Sequence, residues 1–192
     1  MSKICKLLKV LARPRELRMA LGGLCVRLDG DTALGGLTDE ETEGIVGWVK
    51  KSGVSTFVEI GTLFGFTARA VAQRTEAKVL AVDIFCWNPF GLTSEEHERF
   101  TRKVLEGSGV ELIRRDSQDF LKSMDVGNAL VFLDGDHSYA AVKAELEILK
   151  SKGVRHVAGH DFGNPLFGVT RAVREVIGEP DEVIGMCWYK RI

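Results

Sequence analysis

The amino-acid sequence predicts an α/β fold: a doubly wound, mostly parallel sheet with helices on both faces and an antiparallel terminal strand. Three observations predict it. Short apolar and β-branched runs recur at 56–60, 79–82, 110–113, 129–133 and 154–158. Stretches of helical periodicity lie near 94–107, 117–123, 138–151 and 168–178. Caps and glycines punctuate the alternation, so the chain reads as successive βαβ units.

Each element carries its own signal. Thr38-Asp-Glu-Glu41 is a capping box, in which a hydroxyl and a carboxylate satisfy the free amides of a helix start, and that helix should stop at Gly53. Thr56 to Ile60 is the first strand, followed by glycines and the helical run Ala68-Arg-Ala-Val-Ala72. A second capping box, Thr93-Ser-Glu-Glu96, opens the next helix. A last strand around Glu182 to Lys190 closes the chain, giving five parallel strands and one terminal strand. Ahead of the regular pattern, Ile4, Leu7, Leu8 and Leu11 fall at i, i+3, i+4 and i+7, the spacing of a short amphipathic helix. Pro14 ends that helix or opens a second one.

The 192 residues suit one domain spanning 1–192, with a basic helical extension at 1–37. Hydrophobic residues make up 45%, charged residues 28%, and the net charge is −1, which gives no overall attraction to nucleic acid. The N-terminal 27 residues are nonetheless basic, with Lys3, Lys6, Lys9, Arg13, Arg15, Arg18 and Arg27 against Glu16 alone. That arm reads as a helix docked by its apolar stripe, a lid, an arm between subunits of a homo-oligomer, or a surface for acidic partners. Cys5, Cys25, Cys86 and Cys187 show no Cys-x-x-Cys or metal-ligand spacing, and read as reduced thiols of a cytoplasmic protein. No stretch approaches the ~20 apolar residues of a membrane span, so no transmembrane segment is expected.

In parallel sheets of this kind the ligand sits beyond the carboxyl ends of the strands, beside the first. There the sequence reads Phe57-Val-Glu-Ile-Gly-Thr-Leu-Phe-Gly-Phe-Thr67. Gly61 and Gly65 permit a tight turn and close approach of a ligand, and the following helix start offers free amides. Neither the dinucleotide fingerprint nor a phosphate-binding loop is present, which argues against an NAD-dependent dehydrogenase. Glu59 would repel phosphates and suits a cationic ligand. Asp83 ends the second strand 24 residues later, where a carboxylate can accept hydrogen bonds from two ribose hydroxyls. The loop Ile84-Phe-Cys-Trp-Asn-Pro-Phe-Gly-Leu92 reads as a substrate wall or as ordinary packing.

Val58 to Thr67, Ala81-Val-Asp83, Arg115-Asp-Ser117, Phe132-Leu-Asp-Gly-Asp-His-Ser-Tyr139 and Gly159-His-Asp161 together resemble the successive motifs of class I methyltransferases that use S-adenosylmethionine (SAM). The chain is most similar to the branch with the Asp-Gly-Asp-His-Ser-Tyr signature, related to the catechol, caffeoyl-CoA and sugar O-methyltransferases. The resemblance runs from about Thr38 to Gly178. It implies that Glu59, Gly61, Thr62, Gly65 and Thr67 surround the methionine part of SAM, that Asp83 holds the ribose, and that Asp116 and Ser117 lie along the adenine. It also implies that Asp134 and Asp161 hold a metal or face the acceptor.

Two carboxylates with imidazoles nearby, Asp134, Asp136, His137, His160 and Asp161, form a candidate site for Mg²⁺ or Mn²⁺. The same residues also allow His137 to cap a helix and His160 to be structural. The relatives follow their second aspartate with an amide ligand, whereas Phe162 follows Asp161 here and Asn164 is two residues further on. The reading is therefore SAM-dependent O-methylation of a small-molecule acceptor, a sugar or phenol, with catalysis by Asp134, His137 or His160 and metal binding by Asp134 and Asp161. Two alternatives stay open: a SAM-binding module without catalysis, and an N-methylating or hydroxylase-like member of the same fold.

Overall fold

The computed structural model describes residues 37–87, 92–125 and 127–192. The basic arm, and the part of the aromatic loop that holds Pro89 and Phe90, lie outside the described residues. Helix α1 (Asp39–Ser52) leads into β1 (Thr56–Ile60), α2 (Phe66–Arg74), β2 (Lys78–Asp83), α3 (Ser94–Leu105), β3 (Glu111–Arg114) and α4 (Ser117–Ser123). Then come β4 (Ala129–Leu133), α5 (Tyr139–Ser151), β5 (His156–Gly159), α6 (Val169–Ile177), β6 (Glu182–Ile184) and β7 (Cys187–Arg191). The seven strands form one sheet in the order β3-β2-β1-β4-β5-β7-β6. Strands β1 to β5 pair in parallel, and β7 runs antiparallel to β5 and β6. The order reverses between β1 and β4, so a crevice opens beyond their carboxyl ends.

Local chemistry explains the element starts. Both capping boxes form: the Glu41 amide donates to Thr38 Oγ1 at 3.1 Å while the Thr38 amide donates to Glu41 Oε2 at 2.9 Å. Thr93 and Glu96 repeat the arrangement at α3. Asp39, Glu40 and Glu41 in the first turn of α1, with Lys50 and Lys51 in its last, complement the helix dipole. Gly53 ends the helix in the left-handed region at φ 63°.

Alternation along the strands divides the core in two. Val58, Ile60, Val131, Leu133 and Val157 point to one face, where α4, α5 and α6 bring Leu121, Leu146, Leu149 and Val173. Phe57, Val79, Leu130, Phe132 and Ala158 point to the other, under Ile45 and Val49 of α1, Val71 of α2 and Leu105 of α3. Both faces are covered, which is why β1 and β4 are almost wholly apolar and buried. Glu59 is the exception in β1, on the face that also carries Phe57.

The C-terminus corrects one expectation. The single strand expected over 182–190 is a hairpin, β6 and β7, turning at Gly185 and Met186. Gly185 has φ 59°, the conformation that the first position of a type II′ hairpin turn requires. A Cβ on Gly185 would lie 2.5 Å from Glu41 Oε1, and the Met186 amide donates to that same oxygen at 2.8 Å. Helix α1 and the hairpin are therefore fitted to each other through Glu41. Gly185→Ala combines an unfavourable φ with this clash. It should cost about 2 kcal/mol, which lowers the melting temperature by roughly 4–8 °C for a domain of this size. Thermal unfolding followed by circular dichroism measures it, and an unchanged midpoint contradicts the assignment.

Candidate active site

The turn after β1 is packed too tightly for any residue but glycine at its first position. The Gly61 amide donates to Val82 O at 2.8 Å, and the Asp134 amide donates to Ile60 O at 2.8 Å. A Cβ on Gly61, at φ 82°, would sit 2.2 Å from Asp134 O. The close approach draws the ends of β1, β2 and β4 together. Gly65, at φ 78°, caps α2 and leaves only room enough for the Leu105 side chain.

Beneath this turn lies Glu59, 2% exposed, accepting a short hydrogen bond from the Thr62 hydroxyl. Burial pushes its carboxyl up to about 8; Thr62 opposes the shift, and the charges of Asp134 and Asp83 add to it. The carboxyl is thus held under the loop rather than on its surface, tied to Thr62, which is itself buried. Thr67 lies half-buried in the first turn of α2.

Asp83 stands at the crevice edge. Its Oδ2 accepts from the Leu63 amide at 3.0 Å and its Oδ1 from the Phe85 amide at 2.6 Å. A carboxylate offers about four lone-pair sites, so two remain for a ligand. Leu63 and Phe85 themselves have positive φ, 48° and 57°, unusual for such side chains. Helix α3 steadies this strained turn: Thr101 Oγ1 donates to Leu63 O at 2.7 Å and His97 Nε2 lies 2.9 Å from the same oxygen. On the next strand end, Asp116 caps α4 by accepting from the Asp119 amide at 3.0 Å, with half-buried Ser117 beside it.

The ends of β4 and β5 bring Asp134, His137, His160 and Asp161 together. His160, 8% exposed, has Nδ1 at 3.5 Å from Asp134 Oδ1 and 3.4 Å from Asp161 Oδ2, and Nε2 at 3.4 Å from Glu41 Oε1. Burial alone would lower its pKa, but Asp134, Asp161 and Glu41 outweigh that and push it up to about 12. Burial likewise raises Asp134, with His160 opposing. In Asp161 and Glu41 burial is outweighed: His160 and Asn164 pull Asp161 down, while His160 and the Met186 and Thr38 amides bring Glu41 to about 2. His137 Nδ1 faces Asp161 Oδ2 at 3.4 Å, and its ring packs on Phe167 with centroids 4.8 Å apart.

Asp134, His137 and Asp161 each present one ligand atom within 4.8 Å of the others. Asp136 stands apart: exposed, it accepts from the Ser138 amide at 2.8 Å. The cap of α5 is Ser138, which leaves His137 available to the cluster. Asn164 donates to Asp161 Oδ1 at 2.7 Å and accepts from the Leu166 amide at 3.1 Å, so its amide steadies Asp161 and its oxygen is engaged. Glu41, His97 and Glu145 are buried polar residues of this region that sequence reasoning passed over. Glu41 hides inside a capping box, and the other two lie on amphipathic helices where a polar residue looks solvent-facing.

A family model described as a methyltransferase domain matches residues 58–161, more than half of the chain. The chain belongs to this family. The match begins in β1 and ends on Asp161, so it encloses the crevice. No curated protein matches the chain by sequence. Among solved structures the methyltransferase is similar to CalS11, the TDP-rhamnose 3′-O-methyltransferase of calicheamicin biosynthesis, with TM-score 0.59 and 17% identity over 98% of this chain and 93% of that one. It is also similar to the O-methyltransferase of Bacillus cereus, solved with SAH (TM-score 0.56, 16% identity, 85% and 77% covered). A third is TomG of Streptomyces achromogenes, an O-methyltransferase of tomaymycin synthesis solved with SAM (TM-score 0.53, 14% identity, 73% and 67% covered). At these identities the likeness concerns the fold.

The raised carboxyl of Glu59 gives a stability prediction. A carboxyl whose folded pKa exceeds its unfolded value contributes stability that is complete below about 4.5 and lost as pH rises through about 8. The wild type should therefore lose stability between pH 5 and pH 8, and Glu59→Gln should flatten that part of the curve. Urea unfolding at several pH values reads this out; equal slopes for the two proteins refute it.

Proposed function

We propose that this methyltransferase moves the methyl group of SAM to an oxygen of a small polar acceptor, a sugar or phenol hydroxyl. The observation that carries this reading is one edge of the sheet on which a glycine turn, a ribose-ready carboxylate and a second, metal-ready cluster adjoin. Gly61, Thr62, Gly65 and Thr67 line the turn that would receive the methionine part. Asp83, with two lone-pair sites left, would hold the ribose, and Asp116 and Ser117 on the neighbouring strand end would flank the adenine. The O-methyltransferase activity named for the similar structures supports the choice of oxygen.

Methyl transfer of this class is a displacement at carbon, so holding the acceptor oxygen in line with the methyl group supplies much of the acceleration. The acceptor must also lose its proton. Asp134, His137 and Asp161 fit a divalent ion such as Mg²⁺ or Mn²⁺: two carboxylates and an imidazole converge, and Asn164 orients one of them. Such an ion, when bound, lowers the pKa of an acceptor hydroxyl and stabilises its oxyanion. Phe167 holds the His137 ring in place and covers one side of it.

A second reading rests on the His160 contacts. An imidazolium facing both Asp134 and Asp161 already supplies positive charge between them, so the centre would work without a metal and His137 would take the acceptor proton. His160, which keeps its proton at neutral pH, would serve as a positioning cation.

Calorimetry with S-adenosylhomocysteine tests the cofactor assignment. The wild type should bind, and Asp83→Ala should lose on the order of 2–3 kcal/mol, the worth of hydrogen bonds to a charged group. Tighter binding of NAD would overturn the assignment. Turnover separates the two reaction readings. A metal-dependent centre loses activity in excess chelator and regains it with Mg²⁺ or Mn²⁺, and Asp134→Asn and Asp161→Asn each remove most of it. Full activity in chelator gives the role to His137. Cofactor binding without turnover on sugars or phenols points to a binding module instead.

A further inference from the structure

Next to the charged cluster lies a cavity of about 700 Å³, between the loop after β5 and the outer side of α6. Its volume is that of a small-molecule site. Two residues that line it also touch the cluster. Phe167 packs on the His137 ring, and Asn164 donates to Asp161 Oδ1. A molecule seated there is therefore a neighbour of the residues that would activate the acceptor hydroxyl.

The wall that α6 contributes is cationic. The helix buries Val169, Ala172 and Val173, so Arg171 and Arg174 project from its other side, three residues apart, and both line the cavity. Like charges at that spacing repel and weaken a helix slightly. Neither arginine is fully neutralised. Arg171 has no hydrogen bond or ion pair among the described residues; its guanidinium lies 4.3 Å from the centroid of the Tyr139 ring. Arg174 gives its Nε to Glu179 at 2.7 Å and lies 5.5 Å from the Phe162 ring centroid. Its two terminal nitrogens stay uncommitted among the described residues. Glu175, the acid in the same wall, is already satisfied. The Tyr139 hydroxyl donates to its Oε2 at 2.7 Å and Lys143 Nζ to its Oε1 at 2.6 Å.

Contact with the rings holds both guanidinium groups in place, which lowers the ordering cost of binding. An arginine fork matches the paired oxygens of a phosphoryl or carboxyl group. Two such forks beside one cavity, with the local acid engaged elsewhere, select an anion over a neutral ligand. We propose that this cavity seats an oxyanion carried by the acceptor, a phosphoryl or carboxyl group, on Arg171 and Arg174, while the acceptor hydroxyl reaches the Asp134, His137 and Asp161 cluster. The inference rests on the acceptor reading above and narrows it to an anionic sugar or phenol.

NMR of the full chain tests it through the arginine Nε–Hε signals and the His137 ring, assigned with Arg171→Gln, Arg174→Gln and His137→Gln. The probes are glucose, glucose 1-phosphate, glucuronate and inorganic phosphate, each titrated at constant ionic strength. At least one anionic sugar should shift both arginine signals saturably, and the His137 ring with them. Inorganic phosphate should shift the arginines alone. Glucose should bind at least about tenfold more weakly than the better anionic sugar, the worth of hydrogen bonds to a charged group. The tighter of glucose 1-phosphate and glucuronate identifies the anion as phosphoryl or carboxyl. The double variant Arg171→Gln, Arg174→Gln should lose at least about tenfold in affinity for that sugar. Its affinity for S-adenosylhomocysteine should persist, which shows that it folds. Arginine signals that saturate with no anion, or that move with either sugar while His137 stays still, overturn the inference. Calorimetry with S-adenosylhomocysteine on the wild type separates the two readings. Cofactor binding without arginine shifts removes this inference alone, whereas no cofactor binding removes the SAM reading and the acceptor role with it.

Discussion

One buried imidazole holds the reactive edge together. His160 faces carboxylates from three elements: Asp134 after β4, Asp161 after β5 and Glu41 in α1. Burying four ionisable groups costs several kcal/mol each in desolvation, and the cost is offset only while every partner is present. The cluster therefore acts as one unit. Glu41 also completes the cap of α1 and receives the amide of Met186 in the hairpin turn, so the first described helix, the last two strands and the crevice share a single set of charges.

The opposite side of the crevice is built by backbone constraint instead. Gly61 lets β1 and β4 meet, while Leu63 and Phe85 accept unfavourable φ values so that their amides can reach Asp83. Asp161, at φ 60°, shows the same strain beside the charged cluster. Strain of this kind, of order 1–3 kcal/mol per residue, persists only where surrounding structure enforces it. Here His97 and Thr101 of α3 enforce it through Leu63 O, and the amides of His160 and Phe162 pin the Asp161 turn to Leu133 O and Met186 O. The side that would take the cofactor is thus shaped by hydrogen bonds to main chain, and the side that would take the acceptor by charge.

Much of this was legible in the sequence because it follows from short-range rules. Parallel strands place their carboxyl ends together, so Asp83, Asp134 and Asp161, each at a strand end, had to share an edge. Thr38, Thr93 and Gly53 announced helix limits through local hydrogen bonding and conformation. The run from Glu182 to Lys190 read as one strand because only Gly185 and Met186 separate the two strands of the short hairpin. Glu41 and Glu145 were missed for a different reason. Each sits on a helix with other charged residues, and only the packing of that helix decides which of them is buried. Asp136 stood beside Asp134 in the candidate cluster, yet β4 ends one residue before Asp134, which places it at the crevice, while Asp136 is taken up by the turn before α5.

The protonation of His160 tests the account most directly, because the arrangement of the acceptor side depends on it. Nitrogen-15 NMR of the histidine rings in chelator-treated protein reports each imidazole separately, with His160→Gln assigning the signal. The charge cluster predicts that both His160 nitrogens stay protonated from pH 6 to pH 9, consistent with a pKa of about 12. Titration of His160 near its ordinary value of about 6.5 would contradict it, and with it the claim that this imidazole organises the site.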